Sequence, residues 1–336
     1  MRGLESPRAL LAFLSIGLSW LVAGCERSPS EPARPKAPIP RIGFLTSGVC
    51  PSEQAGAPFA EGLRSRGHVI GQTIVIECRV SNRTDDQRFR AMAAELIEAK
   101  VDLIVGISST ATRALVQLTK TIPLVVLDLE TDPVASGLAG SLARPGGNVT
   151  GIFLDAIELN GKRLEVMREF VPGLSRVAVL WDASMDPAPL RAAETASRAI
   201  GIQLQTFGIR GPAEFGSTLE AAAKARSGAV MVIQSPLMDV RGAEIAALAL
   251  ERRLPAVGLV AGFAKQGGLV SYGPDVLELL SHLGSFVDRI VKGARPGELP
   301  IERPTKLYLT INLKTANALG VTVPASLRAR ADQIIE

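Results

Sequence analysis

The sequence predicts an α/β protein built of two doubly wound parallel-sheet lobes. Short aliphatic runs alternate along the chain with segments of helical periodicity, as they do in repeated βαβ units. The runs are apolar throughout, which is typical of strands whose two faces are both covered by helices. The same alternation starts afresh after residue 150, so each half of the chain predicts one lobe.

The first half contains four predicted strands separated by three predicted helices. The strands lie at 41–46, 73–78, 101–107 and 122–128, and the helices at 57–67, 86–100 and 109–120. In the second helix Phe89, Met92, Ala93, Leu96 and Ile97 recur at helical spacing, which predicts one buried face. This half gives a first lobe over residues 41–150.

The second half repeats the pattern and gives a second lobe over residues 151–272. Its strands are predicted at 176–181, 202–207, 229–234 and 255–260, and its helices at 157–170, 188–199, 215–226 and 241–252. A long amphipathic helix at 275–293 ends at Gly293 and Pro296, and we expect it to return the chain to the first lobe. The tail from 301 to 336 supplies one more strand, a short helix and a helix that begins at Pro324.

The N-terminus predicts an export signal followed by a lipid attachment site. Residues 9–25 carry no charge and form an apolar stretch that is short for a membrane-spanning helix. The small residues Ala23 and Gly24 precede Cys25, and Val-Ala-Gly-Cys is similar to a bacterial lipobox, in which the thiol receives diacylglycerol. Residues 1–24 are thus a predicted signal peptide, and the mature protein is predicted to be periplasmic or extracytoplasmic. The alternatives are an ordinary signal peptide with an incidental cysteine and an uncleaved N-terminal anchor.

Residues 26–40 are predicted to tether the folded body to the bilayer. They hold five prolines and few apolar side chains, so they cannot bury enough surface to fold. Proline favours an extended spacer of roughly 3.1 Å per residue. The predicted anchor therefore comprises Cys25 and this spacer.

Charge and cysteine content exclude several classes of function. The net charge of +4 is small, and the Lys and Arg residues of the chain are scattered along it. Both features argue against nucleic acid as a partner. Apart from Cys25, the chain has Cys50 and Cys78, which follow or end neighbouring predicted strands. In an oxidising compartment they are predicted to form a disulfide, the alternative being two separate thiols. No metal site is predicted, because neither His68 nor His282 has ligand spacing to the cysteines.

Small polar residues at the strand ends predict a ligand cleft between the lobes. In open parallel sheets, ligands bind beyond the carboxyl ends of the strands, where helix N-termini offer free N–H groups. The candidates on the first wall are Thr46, Ser47, Ser108, Ser109, Thr110 and Asp128. Those on the second wall are Trp181, Asp182, Gln234 and Ser235.

Each candidate also has a purely structural interpretation. The alternative for the hydroxyls is that they are simply N-caps of helices, each contributing about 1 kcal/mol. Asp128 and Asp182 would receive a ligand ammonium if both faced the cleft, but either could cap a helix. Trp181 could stack on a ligand or pack in the core.

Catalytic patterns are absent from the sequence. It contains no Gly-x-Ser-x-Gly elbow, no phosphate-binding Gly-rich loop with its Lys, no histidine pair and no Cys-x-x-Cys. A serine nucleophile would need a base, and the two histidines fall in a predicted turn and on the long helix. The sequence therefore predicts binding without catalysis and no cofactor.

Several long segments of the chain have the form of known family motifs. They include SLARPGGNVTGI at 141–152, GKRLEVMREFVPGLSRVAVLWD at 161–182 and GGLVSYGPD at 267–275, with further matches at 61–79, 121–138 and 292–336. In these segments the chain resembles the ABC-transporter substrate-binding family, often labelled tryptophan/tyrosine-type. The resemblance implies a type I periplasmic-binding-protein-like fold, capture of a small solute such as an amino acid, and its delivery to a membrane permease. Asp182 stands where many members have Asn after the Leu-Trp pair, which implies a different preferred solute charge.

The leading hypothesis is therefore a monomeric, lipid-anchored solute-binding protein of an ABC import system. A periplasmic sensor subunit that reports ligand occupancy to a membrane receptor would have the same cleft. A hydrolase acting in the cleft is the third hypothesis, for which the sequence offers few bases.

Overall fold

The computed structural model describes residues 39–48, 50–51, 57–81, 86–154, 157–185 and 187–336. The predicted signal peptide, the lipidation site at Cys25 and the tether up to residue 38 lie outside these residues.

The first lobe is a five-stranded parallel sheet with helices on both faces. Its elements are β1 (Arg41–Thr46), α1 (Ala57–Arg64), β2 (Val75–Val80), α2 (Asp86–Glu98), β3 (Leu103–Ile107), α3 (Ser109–Leu118), β4 (Leu124–Asp128) and β5 (Val149–Phe153). The strand order is β2-β1-β3-β4-β5. One apolar core lies between the sheet and α2 and α3, and another lies on the opposite face against α1, so the strands are buried on both sides.

The second lobe repeats this order in a seven-stranded sheet. Its elements up to the last parallel strand are α4 (Ile157–Phe170), β6 (Arg176–Asp182), α5 (Ala188–Ala199), β7 (Gln203–Ile209), α6 (Phe215–Lys224), β8 (Ala229–Val232), α7 (Pro236–Val240), α8 (Gly242–Glu251), β9 (Ala256–Gly258), α9 (Ala261–Lys265) and β10 (Val270–Gly273). The remaining elements of the chain are α10 (Val276–Val291), β11 (Tyr308–Asn312), α11 (Leu313–Leu319), α12 (Ala325–Arg330) and β12 (Gln333–Ile335). The sheet order is β12-β11-β10-β9-β8-β6-β7.

The prediction of two doubly wound α/β lobes is confirmed, and three strands are additional to it. β5, β10 and β12 were not predicted, because each is short and follows a glycine-rich or polar loop instead of a long aliphatic run. β5 also extends the first sheet past residue 150. β11 pairs antiparallel with β10, because it enters the second sheet directly from the first lobe and not through a helical crossover.

Gly151 explains why β5 escapes recognition as a strand. Its φ is +131°, and a Cβ there would lie 2.1 Å from the backbone oxygen of Val126 on β4. A residue with a side chain would therefore push these two strands apart. The glycine that weakens the strand pattern in the sequence is required by the close packing of the backbone.

Helix α10 carries the chain back to the first lobe. It packs against α1 at two glycines, where a Cβ on Gly62 would lie 1.9 Å from the backbone oxygen of Ser281. After α10, backbone hydrogen bonds join Glu302 to Gly151 and Phe153 on β5, and the chain then enters the second sheet at β11. The C-terminal segment therefore begins on the first lobe and ends in the second sheet.

The predicted disulfide is present between Cys50 and Cys78, whose Cα atoms are 5.9 Å apart. β1 and β2 are adjacent and parallel, with Thr46 paired to Val80. The bond thus links the segment that follows β1 to the carboxyl end of β2.

Candidate functional site

A cavity of about 300 Å³ lies between the two lobes, beyond the carboxyl ends of their strands. On the first lobe it is lined after β3 and β4, and on the second lobe after β6 and β8. Among these strands, β3, β6 and β8 lie at the points where the strand order of each sheet reverses. Open α/β folds bind ligands at such points. We call this space the inter-lobe cavity.

Three of the residues predicted on the first wall accept hydrogen bonds from backbone N–H groups two or three positions further along the chain. The Thr46 hydroxyl accepts a hydrogen bond from the Gly48 N–H at 2.9 Å. Ser108 caps α3 by accepting from the Ala111 N–H at 3.3 Å. The buried Asp128 accepts from the N–H groups of Glu130 and Thr131 through Oδ1, at 3.1 and 3.0 Å, and its Oδ2 has no hydrogen-bond partner among the described residues. These side chains shape the wall and do not line the inter-lobe cavity.

The next residues along the chain supply the first wall's contacts. Ser109 lines the cavity, and its buried Oγ makes no hydrogen bond of normal geometry with a described residue, although the Ser109 side chain lies close enough to the Glu130 carboxyl to lower its pKa. Its N–H donates to Glu130 Oε2 at 3.2 Å. Thr110 is buried, and its hydroxyl lies 4.0 Å from the sulfur of Met185 on the second lobe. Ser47 lines a smaller space of about 70 Å³ beside the cavity, together with Ser108.

Ser108 adopts a left-handed backbone conformation, with φ at +111°. Such an angle is uncommon for a residue with a side chain and costs of order 1–3 kcal/mol. Its N–H donates to the Leu127 carbonyl at 2.9 Å, and its carbonyl accepts from the Thr112 hydroxyl at 2.9 Å. These bonds hold the strained turn that presents Ser109 to the cavity.

Glu130 is an acidic residue of the first wall that the sequence did not single out. Burial at the wall, together with the charges of Asp128 and of Asp239 on the opposite lobe, raises its pKa to about 8. Each carboxylate that ionises here therefore makes ionisation of the next more costly. A cation placed between these groups would remove that cost.

The second wall presents the side chains predicted there. Trp181 and Asp182 both line the cavity, and the indole of Trp181 is partly exposed. Trp181 pairs in the sheet with Gly208 of β7, and a Cβ at Gly208 would lie 3.4 Å from the indole nitrogen. Because Gly208 has no side chain, the Trp181 ring fits at the edge of the core.

Asp182 uses only one of its carboxylate oxygens within the protein. Oδ1 accepts from the Ser184 N–H at 3.0 Å and from the Ser184 hydroxyl at 2.6 Å. Oδ2 is buried and has no hydrogen-bond partner in the described part of the chain. A buried carboxylate oxygen without a partner is costly, so this atom is suited to a ligand's donor.

Gln234 and Ser235 have different roles although they are neighbours. Gln234 lines the cavity and donates through Nε2 to Asp239 Oδ2. Ser235 is buried and caps α7 by accepting from the Met238 N–H at 3.3 Å, and it does not line the cavity. Ser235 therefore acts as a helix cap and not as a lining residue of the cavity.

The loop after β4 supplies lining residues that sequence inspection missed. These are Glu130, Thr131, Asp132, Ala135 and Ser136. Arg113 on α3 and Met185 after β6 also line the cavity and were not predicted. The segment DLETD at 128–132 carries three acidic residues directly after a strand. This cluster could have indicated a cavity wall, but only its first acid, Asp128, was predicted as a site residue.

The described residues show neither a metal-binding cluster nor a membrane-spanning helix. They contain no group of three or more His, Cys, Asp or Glu side chains placed to hold a metal ion. No described helix is long and apolar enough to cross a membrane.

Comparison with known proteins places this geometry among solute-binding proteins. Residues 53–335 match the family model described as ABC transporter substrate binding protein. A relative from Clostridioides difficile strain R20291, named tyrosine-binding protein, is 24% identical over 274 residues, which cover 80% of this chain and 77% of the relative.

Two solved structures share the fold at 23% identity, each covering 88% of this chain and 99% of the other. One is a conserved domain protein from Vibrio cholerae, with a TM-score of 0.80. The other is an ABC domain from Streptococcus pneumoniae in complex with L-Trp, with a TM-score of 0.78. The family match spans most of the chain, and both lobes agree with these folds. The protein therefore belongs to the ABC transporter substrate binding protein family.

Proposed function

We propose that the protein captures a small solute with an ammonium group and an aromatic ring in the inter-lobe cavity, for import by an ABC transporter. The observation that carries this proposal is the pair of unpartnered buried polar atoms on facing walls. Asp182 Oδ2 lies on the second lobe and Ser109 Oγ on the first, and both residues line the same cavity. A ligand that donates to one and contacts the other would hold the lobes together.

The charges of the cavity favour an ammonium group over a carboxylate. Glu130, Asp132 and Asp182 line it, and Arg113 is the only basic side chain among its described lining residues. Arg113 pairs with Asp86, outside the cavity, at 2.9 Å. A charge-assisted hydrogen bond from an ammonium to Asp182 would be stronger than a bond between neutral groups.

The aromatic part of the proposal rests on Trp181. Its partly exposed indole could stack on a ring or receive a cation on its face. The names of two similar proteins are consistent with such a ligand, since one is a tyrosine-binding protein and another was solved with L-Trp. Neither histidine of this chain lines the cavity, so Ser109 lacks an imidazole base and binding is favoured over hydrolysis.

Calorimetry with three matched compounds tests the proposal. Tyrosine carries both charges, tyramine carries only the ammonium group, and 3-(4-hydroxyphenyl)propionate carries only the carboxylate. We expect tyrosine and tyramine to bind, with a micromolar dissociation constant corresponding to about −8 kcal/mol, and the propionate not to bind. Binding of the propionate alone, or of none of the three to folded protein, would contradict the proposal.

We also propose that a lipid on Cys25 holds the protein at the outer face of a bacterial membrane, where it delivers solute to a permease. The basis is the sequence Val-Ala-Gly-Cys after an apolar stretch and the proline-rich tether that follows. Cells grown with labelled palmitate should label the wild-type protein and not Cys25→Ala, in which the proposed acceptor thiol is gone. A wild-type protein that stays unlabelled on membranes would indicate an uncleaved anchor.

A further inference from the structure

A second space adjoins the inter-lobe cavity and is not used by the proposed contacts. It has a volume of about 250 Å³ and lies beyond the carboxyl ends of β8 and β9, between α7, α9 and the start of α10. We call it the side chamber. Its wall is mainly apolar and includes Val232, Leu259, Phe263, Val276 and Leu277.

The side chamber and the inter-lobe cavity share a boundary. Gln234 lines both spaces, and its side chain is hydrogen-bonded to Asp239, which lines the side chamber. The smaller space of about 70 Å³ is lined by both Glu130 and Asp239, so it touches each of the larger ones. A ligand could therefore extend from one space into the other past the Gln234 side chain.

The floor of the side chamber is built closely around Phe263. A Cβ on Gly258 would lie 2.5 Å from the ring of Phe263, so the ring packs directly on the end of β9. Phe263 is itself buried. Leu277 is 54% exposed at the start of α10 and also lines the chamber. The chamber thus offers a fixed apolar surface with an accessible apolar rim.

Lys265 provides a cation in the same chamber. Its Nζ lies 3.6 Å from Asp275 Oδ2, a distance longer than that of a close ion pair, and its side chain is 45% exposed. Asp275 Oδ1 is occupied as the cap of α10, accepting from the Leu277 N–H at 2.9 Å. Lys265 is therefore available to an anionic group of a ligand.

The spacing of the strands sets the length of molecule that would reach both sites. Asp182 ends β6, and Lys265 ends the helix that follows β9, two strands further along the sheet. Adjacent strands lie about 4.8 Å apart, so the ends of β6 and β9 are separated by roughly 10 Å. One extended residue spans at most about 3.6 Å and two span about 7 Å before side chains are counted, so a ligand that lies along this edge of the sheet needs more than one residue.

We propose that the natural solute is dipeptide-sized, with an N-terminal aromatic residue in the inter-lobe cavity and a second, apolar residue in the side chamber. This inference rests on the proposed function, because it takes the ammonium group to lie at Asp182. The second side chain packs near Phe263, and the terminal carboxylate lies at Lys265. The inter-lobe cavity alone is at the lower limit of ligand sites, roughly 300–1,000 Å³, and the two spaces together fall within that range.

Calorimetry with tyrosine, Tyr-Leu and Tyr-Leu amide tests this inference. The dipeptide should bind at least about tenfold more tightly than tyrosine, since it adds apolar burial and one charge-assisted contact. Tyr-Leu amide should lie between the two, because it lacks the carboxylate. If Tyr-Leu binds no more tightly than tyrosine, the inference fails while the proposed function stands. If no compound binds, the proposed function fails and the inference fails with it.

Two pairs of variants locate the second residue. Lys265→Glu should weaken Tyr-Leu about tenfold and change the affinity for tyrosine and for the amide by less than about threefold. Lys162→Glu is its control, since Lys162 is 44% exposed, is ion-paired with Glu165, and lines neither space. Leu277→Trp should weaken both dipeptides and spare tyrosine, with Leu118→Trp as its exposed control on the first lobe. If neither test variant weakens Tyr-Leu relative to its control, the second residue does not occupy the side chamber and the inference is overturned.

Discussion

The two walls of the inter-lobe cavity use their strand-end polar residues in different ways. On the first lobe, Thr46, Ser108 and Asp128 accept hydrogen bonds from their own backbone. On the second lobe, Trp181 and Asp182 line the cavity directly. Local hydrogen bonds alone do not make this difference, because Asp182 Oδ1 also accepts from its own turn at Ser184, and both aspartates leave a buried Oδ2 without a partner among the described residues. What differs is position, since Asp182 lines the cavity and Asp128 does not, and the first lobe presents Ser109 and Glu130, one and two positions further along.

The lobes also differ in covalent reinforcement, and removal of the disulfide should give the largest effect. Cys50 and Cys78 are 28 residues apart, and closing a loop of that length contributes about 3.5 kcal/mol in the chain-entropy account. We expect Cys50→Ser with Cys78→Ser to lower the free energy of unfolding by about that amount. Urea unfolding followed by circular dichroism measures the change.

Hydrogen exchange shows whether the loss is confined to one lobe. Peptides from β1 and β2 should lose protection in the double variant, whereas peptides from β6 and β8 should keep theirs. Equal loss in both lobes would mean that the lobes unfold as one unit, and the contrast between them would not extend to stability.

A pair of aspartates provides the next largest effect and tests the contrast between the walls directly. Asp182→Ala should weaken tyrosine binding about 100-fold, or about 2.7 kcal/mol, because it removes the unpartnered carboxylate oxygen that we propose as the acceptor of the ligand's ammonium group. Asp128→Ala should change affinity by less than about threefold. It should instead lower the free energy of unfolding by roughly 2–3 kcal/mol, since two backbone N–H groups lose their acceptor.

Calorimetry and urea unfolding on both variants measure the two quantities side by side. Asp102→Ala is a suitable control, because Asp102 is exposed at the opposite end of the first sheet. A large affinity loss in Asp128→Ala, without a loss of stability, would place Asp128 in the ligand site and remove the distinction between the walls.

Most of the fold could be predicted from the sequence, because long aliphatic strands and amphipathic helices carry strong periodic signals. The segments 101–107 and 176–181 match β3 and β6 closely. β5 could not be predicted, since the approach of its backbone to Val126 depends on a tertiary contact. β12 has three residues, too few for a period to be visible.

The site was predicted only in outline, and the reason is visible at the loop after β4. The sequence places Asp128, Glu130 and Asp132 together but does not show which carboxylates accept hydrogen bonds from the backbone N–H groups of the turn. In the structure Asp128 and Asp132 each accept two such bonds, which leaves Glu130 beside the Ser109 N–H at the cavity. Hydrogen-bond partners of this kind follow from the turn geometry and not from residue type.

The pH dependence of binding sharpens the contrast at Glu130. Its pKa of about 8 means that this carboxyl is mostly protonated at pH 7 in the free protein. Because an ammonium group favours the ionised form, affinity for tyramine should rise with pH up to about pH 8, by at most about tenfold per unit. In the empty protein the same raised pKa makes stability decline as pH rises from the ordinary value of 4.5 to about 8.

Glu130→Gln should reduce both pH dependences while leaving binding measurable, and the remainder should come from Asp128 and from Asp239, whose pKa values are also raised by burial, that of Asp239 to about 7. Calorimetry in two buffers of different ionisation enthalpy should also show proton release on binding to the wild type and little release in the variant. Affinity that falls with rising pH over this range would indicate that the ligand presents a negative charge to Glu130.

Two serines give the smallest expected effects and complete the comparison, because both are buried hydroxyls at a helix N-terminus. Ser235 has a partner in the Met238 N–H, so Ser235→Ala should lower the free energy of unfolding by about 1 kcal/mol and leave tyrosine affinity unchanged. The Ser109 hydroxyl has no partner among the described residues, so Ser109→Ala should leave stability unchanged or slightly higher. It should weaken tyrosine binding about fivefold, which corresponds to one neutral hydrogen bond of about 1 kcal/mol. Urea unfolding and calorimetry on the two variants separate these outcomes. If both variants lose stability and keep affinity, Ser109 is a cap like Ser235, and the first lobe contacts the ligand through Glu130 without a serine hydroxyl.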